Sequence, residues 1–238
     1  VLHQHHLVVA DVEGGGEHLL GALPQSVGQL GVGARDPVGG VAQTLAVRVL
    51  ADGVQQLAHG RGRAVVVERP AGPHTLRFTG LGTQPKSIEL WLPHTAACDL
   101  VELRSGAPVS RTADTRRRWV HHGSSISQGG EAKAPTQTWP VVAAARAGVT
   151  VHNLGFSGNA VGDQFVARTL RDLPADALSV EIGINVVNGD LMRRRAFEPV
   201  LHGFIDTVRD GHPQTPLLLI GPIPCPAVET LPGPTVYN

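Results

Sequence analysis

The sequence predicts an α/β protein whose larger part is a doubly wound parallel sheet, preceded by a small β-rich domain. Two observations support this prediction. From about residue 118, short apolar runs alternate with amphipathic stretches, which is the pattern of parallel strands covered by helices. Between residues 74 and 103, apolar and polar residues instead alternate at period two, which is typical of half-buried strands.

The first segment, residues 1–73, has an unusual composition. It contains no Phe, Trp, Tyr or Lys, although all four occur later, and glycine clusters interrupt it at 14–16 and 39–40. Aromatic side chains supply much of the buried area of a core. We therefore formulate the hypothesis that much of this segment is poorly folded, or is not the authentic partner of the rest of the chain, as an incorrect reading frame or gene start would produce.

The second segment, residues 74–117, predicts part of a β-rich accessory domain and a linker. Strands are expected over 75–79, 87–92 and 99–103, with turn residues between the first two. Residues 105–118 are polar and rich in Arg, Thr and Ser. The run 116–118 of three arginines could hold a phosphate or an acidic substrate, but we interpret it as a solvated face.

The third segment, residues 118–238, predicts the parallel sheet. Its elements in order are a strand at 119–122, a helix at 138–147, a strand at 149–154, a helix at 162–171, a strand at 178–183, a helix at 197–208 and a strand at 217–220. The last helix has apolar residues at helical spacing on one face. The last strand is apolar on both faces, as expected for a central parallel strand.

Three short motifs fall where these strands end. They are Gly123-Ser-Ser125, Gly155-Phe-Ser-Gly158 and Gly183-Ile-Asn185. In open α/β sheets, ligands bind beyond the carboxyl ends of the strands. A glycine also lets the chain turn sharply, so that the serine after it can project as a nucleophile. The sequence therefore predicts a site built around Ser125.

Gly123-Ser-Ser-Ile126, Asn153-Leu-Gly-Phe-Ser-Gly158 and Gly183-Ile-Asn185 resemble, in this order, the first three blocks of the GDSL/SGNH hydrolases. The resemblance covers roughly residues 118–226. It implies a flavodoxin-like SGNH hydrolase fold and an accessory β-domain like that preceding some carbohydrate esterases and acyltransferases. It also implies that Ser125 is the nucleophile, and that the N–H groups of Ser125 and Gly158 and the amide of Asn185 form an oxyanion hole.

Other interpretations of these residues stay open. Ser125 could be a turn residue, and Ser124, which stands where the family usually has Asp, could cap the next turn or replace Ser125 as the nucleophile. Gly158 could be a helix-entry glycine and Asn185 a strand-end cap. Val186 replaces the Asp that usually follows this Asn in the family.

A general base is not found in the sequence. The family carries Asp and His three residues apart after a fifth strand, and nothing after residue 222 matches. Asp210-Gly-His212 is one residue short of that spacing and is better explained by helix termination. We interpret His121 and His122 as structural. The simplest expectation is that the chain is truncated before the fifth strand, the last helix and the Asp-x-x-His block, which would leave this fragment inactive or nearly so.

Composition limits partners and cofactors. The formal net charge is zero, so nucleic acid is not an expected partner. No apolar run approaches the roughly 20 residues that span a bilayer. No metal is expected, since the early tract of His3, His5 and His6 has no nearby carboxylate or Cys, and no glycine motif fits a dinucleotide cofactor. No signal peptide is visible, which favours a cytoplasmic location, but the N-terminus could be missing and the compartment stays open. The oligomeric state is left open.

The sequence thus predicts a serine ester hydrolase that acts on a small acyl ester, an acylated carbohydrate among the candidates, through an acyl-enzyme on Ser125. Two alternatives remain. One is an acyltransferase of the same fold, in which an alcohol replaces water. The other is a non-catalytic binding protein that lacks the general base.

Overall fold

The structure is a computed structural model of the 238-residue chain. It describes residues 6–9, 18–20, 45–51, 55–59, 67–69, 72–78, 88–95, 98–105 and 114–226. These residues fall into two compact units, one within 1–115 together with 132–137, the other within 116–131 together with 138–238.

The first unit contains two four-stranded sheets. Their strands are β1 (His6–Val9), β2 (His18–Leu20), β3 (Leu45–Ala51), β4 (Gln55–His59), β5 (Val67–Arg69), β6 (Gly72–Phe78), β7 (Ile88–Trp91) and β8 (Cys98–Ser105). The strand orders are β1-β7-β4-β5 and β2-β8-β3-β6, and all neighbours are antiparallel.

The predicted strands at 75–79, 87–92 and 99–103 correspond to β6, β7 and β8. In β6 the period-two alternation separates a buried face from an exposed face, as predicted: Leu76 and Phe78 are buried, while Thr75 and Arg77 are exposed. Strand β3, which precedes residue 73, pairs with β6 and β8. Strands from both predicted segments thus share one sheet, and whether residues 1–73 are authentic stays a prediction.

The second unit is a parallel sheet flanked by helices. Its strands are β9 (Arg118–Gly123), β10 (Thr150–Gly155), β11 (Ala177–Glu181) and β12 (Leu217–Ile220), in the order β10-β9-β11-β12. Its helices are α1 (Ser125–Gln128), α2 (Trp139–Ala147), α3 (Gln164–Asp172), α4 (Ile184–Asn188) and α5 (Arg194–Gly211). A short 3-10 helix, Pro135–Gln137, belongs to the first unit. The predicted doubly wound parallel fold is confirmed.

The hydrophobic core of this unit lies between the sheet and helices α3 and α5. Helix α5 contributes Phe204 and Val208, which are fully buried and lie on the predicted apolar face of that helix. Fully burying one such side chain contributes about 1.5–3 kcal/mol. The remaining buried members come from α3, the strands and the residue directly after β11: Val120, Leu154, Val166, Ala167, Leu170, Leu178, Val180 and Ile182.

The last described strand has one neighbour. The apolar run 217–220 predicts a central strand, and among the described residues β12 pairs with β11 alone. Leu218 is accordingly 61% exposed and Leu219 46% exposed. An apolar run does not specify how many neighbours a strand has, so a central position of β12 stays a prediction. Among the described helices, none combines the length and apolarity needed to cross a membrane.

Candidate active site

Ser125 stands at the first position of α1, directly after the end of β9. Ser124 is the N-cap, and its side-chain oxygen accepts a hydrogen bond from the N–H of Ile126 at 3.4 Å, the usual way of satisfying a free helix N–H group. Ser124 therefore caps α1, which is one of the two roles that the sequence leaves open, and its side chain is fully buried. Ser125 is only half-buried, so of the two serines it is the one that solvent and a substrate can reach.

Helix α1 lies directly against the ends of two parallel strands, and glycine makes this possible. Gly123 and Gly155 are neighbours in the register of β9 and β10. A Cβ atom at position 155 would overlap the backbone of Ser127 and Gln128, and one at 123 would overlap the side chain of Ser127. Both glycines are needed for close approach to a neighbouring segment.

A row of polar side chains crosses the sheet beneath α1. Asn153, His121 and Ser179 face one another in register on three adjacent strands. The Asn153 amide nitrogen donates to the backbone oxygen of Ser127 at 2.7 Å, and His121 Nε2 lies 2.7 Å from Ser127 Oγ. Asn153 and His121 thus hold α1 against the sheet through the backbone oxygen and the side-chain hydroxyl of Ser127.

The His121 ring is neutral in this row. Its Nδ1 lies 2.6 Å from Ser179 Oγ, which also accepts from the indole N–H of Trp119 at 2.8 Å. The Ser179 hydroxyl can therefore donate to Nδ1, leaving the Nε2–H to donate to Ser127. Burial lowers the pKa of His121 to about 3, and the nearby His122 lowers it further.

His122 points to the opposite face of the sheet, as strand alternation predicts. Its Nδ1–H donates to the backbone oxygen of Leu154 at 2.8 Å, and its ring stacks on Phe204 and contacts Phe156. Burial lowers its pKa as well. His121 and His122, which lie beside Ser125 in sequence, therefore both have structural environments, as the sequence predicts.

The loop that follows β10 connects the three predicted site residues. On one side, the N–H of Ser157 donates to Gln128 Oε1 of α1 at 2.7 Å. On the other side, the N–H of Ala160 donates to Asn185 Oδ1 of α4 at 2.9 Å. Gly158 lies between these two bonds and has a positive φ of 71°, a conformation that glycine adopts without strain.

The remaining donors of these residues are available to a ligand. Because Asn185 Oδ1 accepts from Ala160, the Nδ2 of the same amide points elsewhere, and within the described part of the chain it donates to no acceptor. The same holds, among described residues, for the N–H groups of Ser125 and Gly158. A Cβ atom at position 158 would stand in open space, so that backbone is open to approach.

Sequence reasoning missed two residues of this arrangement. Gln128 follows the serine motif as an ordinary polar residue, and only the fold shows that it holds the Ser157 N–H. Glu181 is 4% exposed and accepts a hydrogen bond from the N–H of Ser124 at 2.7 Å. The sequence does contain an indication of the role of Glu181, because a carboxylate inside the largely apolar strand 178–182 is unusual unless it has a partner.

The described residues contain no histidine that hydrogen-bonds to Ser125. His212 is buried after the end of α5, where its Nε2 lies 3.0 Å from the backbone oxygens of Leu170 and Leu173 and its Nδ1 lies 3.3 Å from Thr215 Oγ1. It therefore closes the end of the helix, as expected for Asp210-Gly-His212. Nor do three or more His, Cys, Asp or Glu side chains cluster as a metal site would require in the described ranges. His3 and His5 lie outside those ranges.

Several solved structures have a fold similar to that of this chain. A salicylyl-acyltransferase from a tetracycline biosynthetic pathway is 31% identical, with a TM-score of 0.67, and the match covers 74% of this chain and 55% of that one. A family two carbohydrate esterase from Clostridium thermocellum, solved with cellohexaose, is 12% identical with a TM-score of 0.62, covering 80% and 72%. An acetyl xylan esterase from Butyrivibrio proteoclasticus is 14% identical with a TM-score of 0.56, covering 86% and 77%.

Two features of these matches set their scope. The chain spans only 55% of the length of the salicylyl-acyltransferase, and the carbohydrate esterases are similar in fold alone. No curated protein sequence matches the chain. The model of the family described as GDSL-like lipase/acylhydrolase matches residues 116–227, which include the serine turn, the loop after β10 and α4. Residues 116–227 therefore form a domain of the GDSL-like lipase/acylhydrolase family.

Proposed function

We propose that this domain catalyses acyl transfer from a small acyl ester through a covalent intermediate on Ser125. The observation that carries the proposal is the pair of hydrogen bonds by which Gln128 and Asn185 hold the loop after β10. These bonds link α1, which carries the half-buried Ser125, to Gly158 and Asn185, whose N–H donors have no acceptor among the described residues. Acyl transfer needs this combination of a nucleophile and donors aimed at a developing oxyanion.

The reaction proceeds in two steps. Ser125 Oγ attacks the ester carbonyl carbon as its proton passes to a base, and the carbonyl oxygen becomes an oxyanion bound by the N–H groups of Ser125 and Gly158 and the amide of Asn185. The tetrahedral intermediate then collapses, the alcohol leaves with a proton, and an acyl-enzyme ester remains. In the second step, water attacks this ester, the acid leaves and Ser125 recovers its proton.

No described histidine hydrogen-bonds to Ser125, so the proposal assigns the base to a group outside the described residues. His121, His122 and His212 are buried and engaged in hydrogen bonds away from Ser125. Removing the base of a serine triad leaves only the residual catalysis of the oxyanion hole and substrate binding. The proposal therefore concerns the full-length gene product.

Transfer to an alcohol is the second candidate reaction. It is favoured by the 31% identity to a salicylyl-acyltransferase, in which an acyl group passes to an acceptor other than water. The donor site would be the same, and the acceptor alcohol would replace water in the second step. A carbohydrate as the alcohol part of the ester stays a prediction that acetylated xylan can test.

The test is ester hydrolysis by the full-length gene product with p-nitrophenyl acetate, compared between wild type and Ser125→Ala. We expect the variant to lose all but a residual activity, since it cannot form the acyl-enzyme. Thr169→Ala is a matched control, because it removes a hydroxyl that only bonds to the backbone of its own helix. Folding of all three proteins is compared by circular dichroism.

The outcomes separate the candidate functions. Ester formed from an added alcohol at the expense of free acid would favour the transferase. Equal, background-level rates for wild type and Ser125→Ala would contradict both enzyme proposals and leave a binding protein of this fold.

A further inference from the structure

Glu181 is a buried carboxylate that the proposed acyl-transfer steps do not use. It ends β11 on the face that also carries Ser179, and it is 4% exposed. Its Oε1 atom has no hydrogen-bond partner among the described residues. Burying a carboxylate costs several kcal/mol unless its partners compensate. The one hydrogen bond that Glu181 makes must therefore offset much of this cost.

That bond goes to the backbone next to the nucleophile. The N–H of Ser124 donates to Glu181 Oε2 at 2.7 Å, and both partners are buried. A hydrogen bond from a backbone N–H to a carboxylate is about twice as strong as one between neutral groups. The N–H of an N-cap residue forms no bond within its helix, so without Glu181 this group would be buried and unpaired.

The surroundings of the bond leave Glu181 little freedom. A Cβ atom at position 123 would come within 2.8 Å of Glu181 Oε2 and closer still to the Ser127 hydroxyl, so the carboxylate and Ser127 together fill the space that the missing side chain of Gly123 leaves. Ser124 is itself held by its side-chain bond to Ile126. The carboxylate therefore fixes the Gly123–Ser124 peptide unit. The next peptide unit, which carries the Ser125 N–H, is held by the Ser124 carbonyl oxygen, which accepts from the N–H groups of Ser127 and Gln128 at 3.1 and 3.0 Å.

We infer that Glu181 is a positioning residue for the nucleophile, which it orients through the Ser124 N–H; this inference rests on the function proposed for Ser125. Glu181 holds the peptide unit before Ser124, and the helix holds the peptide unit after it. The backbone that leads into Ser125 is therefore fixed, and with it the direction of the Ser125 N–H and side chain. A displacement of about 1 Å at a reacting group can cost about 100-fold in rate. Glu181 touches neither substrate nor reacting atoms in this scheme.

Three substitutions separate the hydrogen bond from the charge. Glu181→Gln keeps the reach and an acceptor oxygen but loses the charge, Glu181→Asp keeps the charge but is one methylene short, and Glu181→Ala loses both. We expect Gln to retain kcat to within about threefold, and Asp and Ala to lose about 10- to 100-fold in kcat with KM nearly unchanged. Rates are expressed per folded molecule of full-length gene product.

Asp176→Ala is the matched control. Asp176 also accepts a backbone hydrogen bond, from Arg118 at 2.7 Å, but at the opposite end of the strand that leads to Ser125. This variant should leave kcat unchanged. In addition, the Ser124 amide resonance in the NMR spectrum should move upfield in the Asp and Ala variants, as expected when a short bond to a carboxylate is lost.

Equal kcat in wild type and Glu181→Ala would overturn the inference. So would activity that Glu181→Asp retains and Glu181→Gln loses, because that result would assign the effect to the charge and not to the hydrogen bond. If Glu181→Ala fails to fold, the comparison of Glu181→Gln with Glu181→Asp still tests the inference. Absence of any Ser125-dependent activity in wild type would be a different failure, because it would remove the proposed function together with the role of Glu181 in it.

Discussion

Asn185 shows how one side chain can serve both the architecture and the chemistry of a site. Its oxygen accepts from the Ala160 N–H, which fixes the orientation of the amide and therefore the direction in which its nitrogen can donate. A donor that is already oriented costs no reorganisation when an oxyanion develops. The neutral amide also donates without the desolvation cost of a charge.

The first prediction concerns this donor. We expect Asn185→Ala to lower kcat by about 10²–10³-fold with a smaller effect on KM, as is usual when one oxyanion donor is removed. Steady-state kinetics with p-nitrophenyl acetate measure both constants. Asn188→Ala in the same helix is the control, because Asn188 Oδ1 has no hydrogen-bond partner in the described part of the chain. Equal loss in the two variants would contradict a specific role for Asn185.

The second prediction concerns the pH dependence of stability through His121. Its pKa is lowered to about 3 in the folded protein, whereas an unfolded histidine titrates near 6.5. Below about pH 6.5 the unfolded state binds a proton that the folded state does not. This histidine should therefore reduce the free energy of unfolding by about 1.4 kcal/mol for each pH unit between about 6.5 and 3, and have no effect above that window.

Urea denaturation at pH 7, 6 and 5 tests this sign and slope. His121→Asn lacks the titrating group, so its stability should fall less steeply on acidification than that of wild type. The comparison uses the slope with pH and not the absolute stability, which the smaller side chain also changes. Parallel slopes would contradict the lowered pKa, because they would show that His121 binds its proton equally well in the folded and unfolded states.

At the scale of elements, the site depends on how closely α1 approaches the ends of β9 and β10. The helix has only four residues and could not persist alone, since short isolated helices are marginal in water. Its position comes from the two glycines beneath it, the Asn153–His121 row and the Glu181 bond. These contacts make the strand ends part of the active site.

The third prediction tests that approach. Gly155→Ala adds a Cβ atom that overlaps the backbone of α1, and we expect it to lower the free energy of unfolding by about 1–3 kcal/mol and to reduce kcat by displacing Ser125. Gly130→Ala is the matched control, since its added Cβ would meet nothing within 4 Å. Thermal unfolding and ester hydrolysis measure the two effects. A Gly155→Ala protein as stable and active as the control would contradict the packing described.

The elements of the parallel sheet could be predicted from sequence more completely than the contacts between them. Apolar periodicity located α2, α3, α5 and the strands, because burial of one face leaves a regular pattern. The Gln128–Ser157 and Glu181–Ser124 bonds join residues 29 and 57 positions apart. They depend on strand register and order, which local patterns do not contain.

At the scale of the whole molecule, the described residues divide into a β-rich unit and a parallel α/β unit, and the proposed chemistry lies in the second. The composition of residues 1–73 sets that segment apart from the rest. The hypothesis that it is not authentic predicts that peptide mass mapping of the natural protein recovers no peptides from residues 1–60. Recovery of such peptides would contradict it.

The central claim is that Ser125 carries the acyl group during turnover. Its most direct test is rapid quenching of the full-length gene product with p-nitrophenyl acetate, followed by mass spectrometry of the tryptic peptide 119–133, which contains Ser124, Ser125 and Ser127. We predict one added acetyl group, located by fragmentation on Ser125 and absent from Ser125→Ala. Acetylation of Ser124 or Ser127 instead, or ester hydrolysis with no adduct in this peptide, would contradict the account.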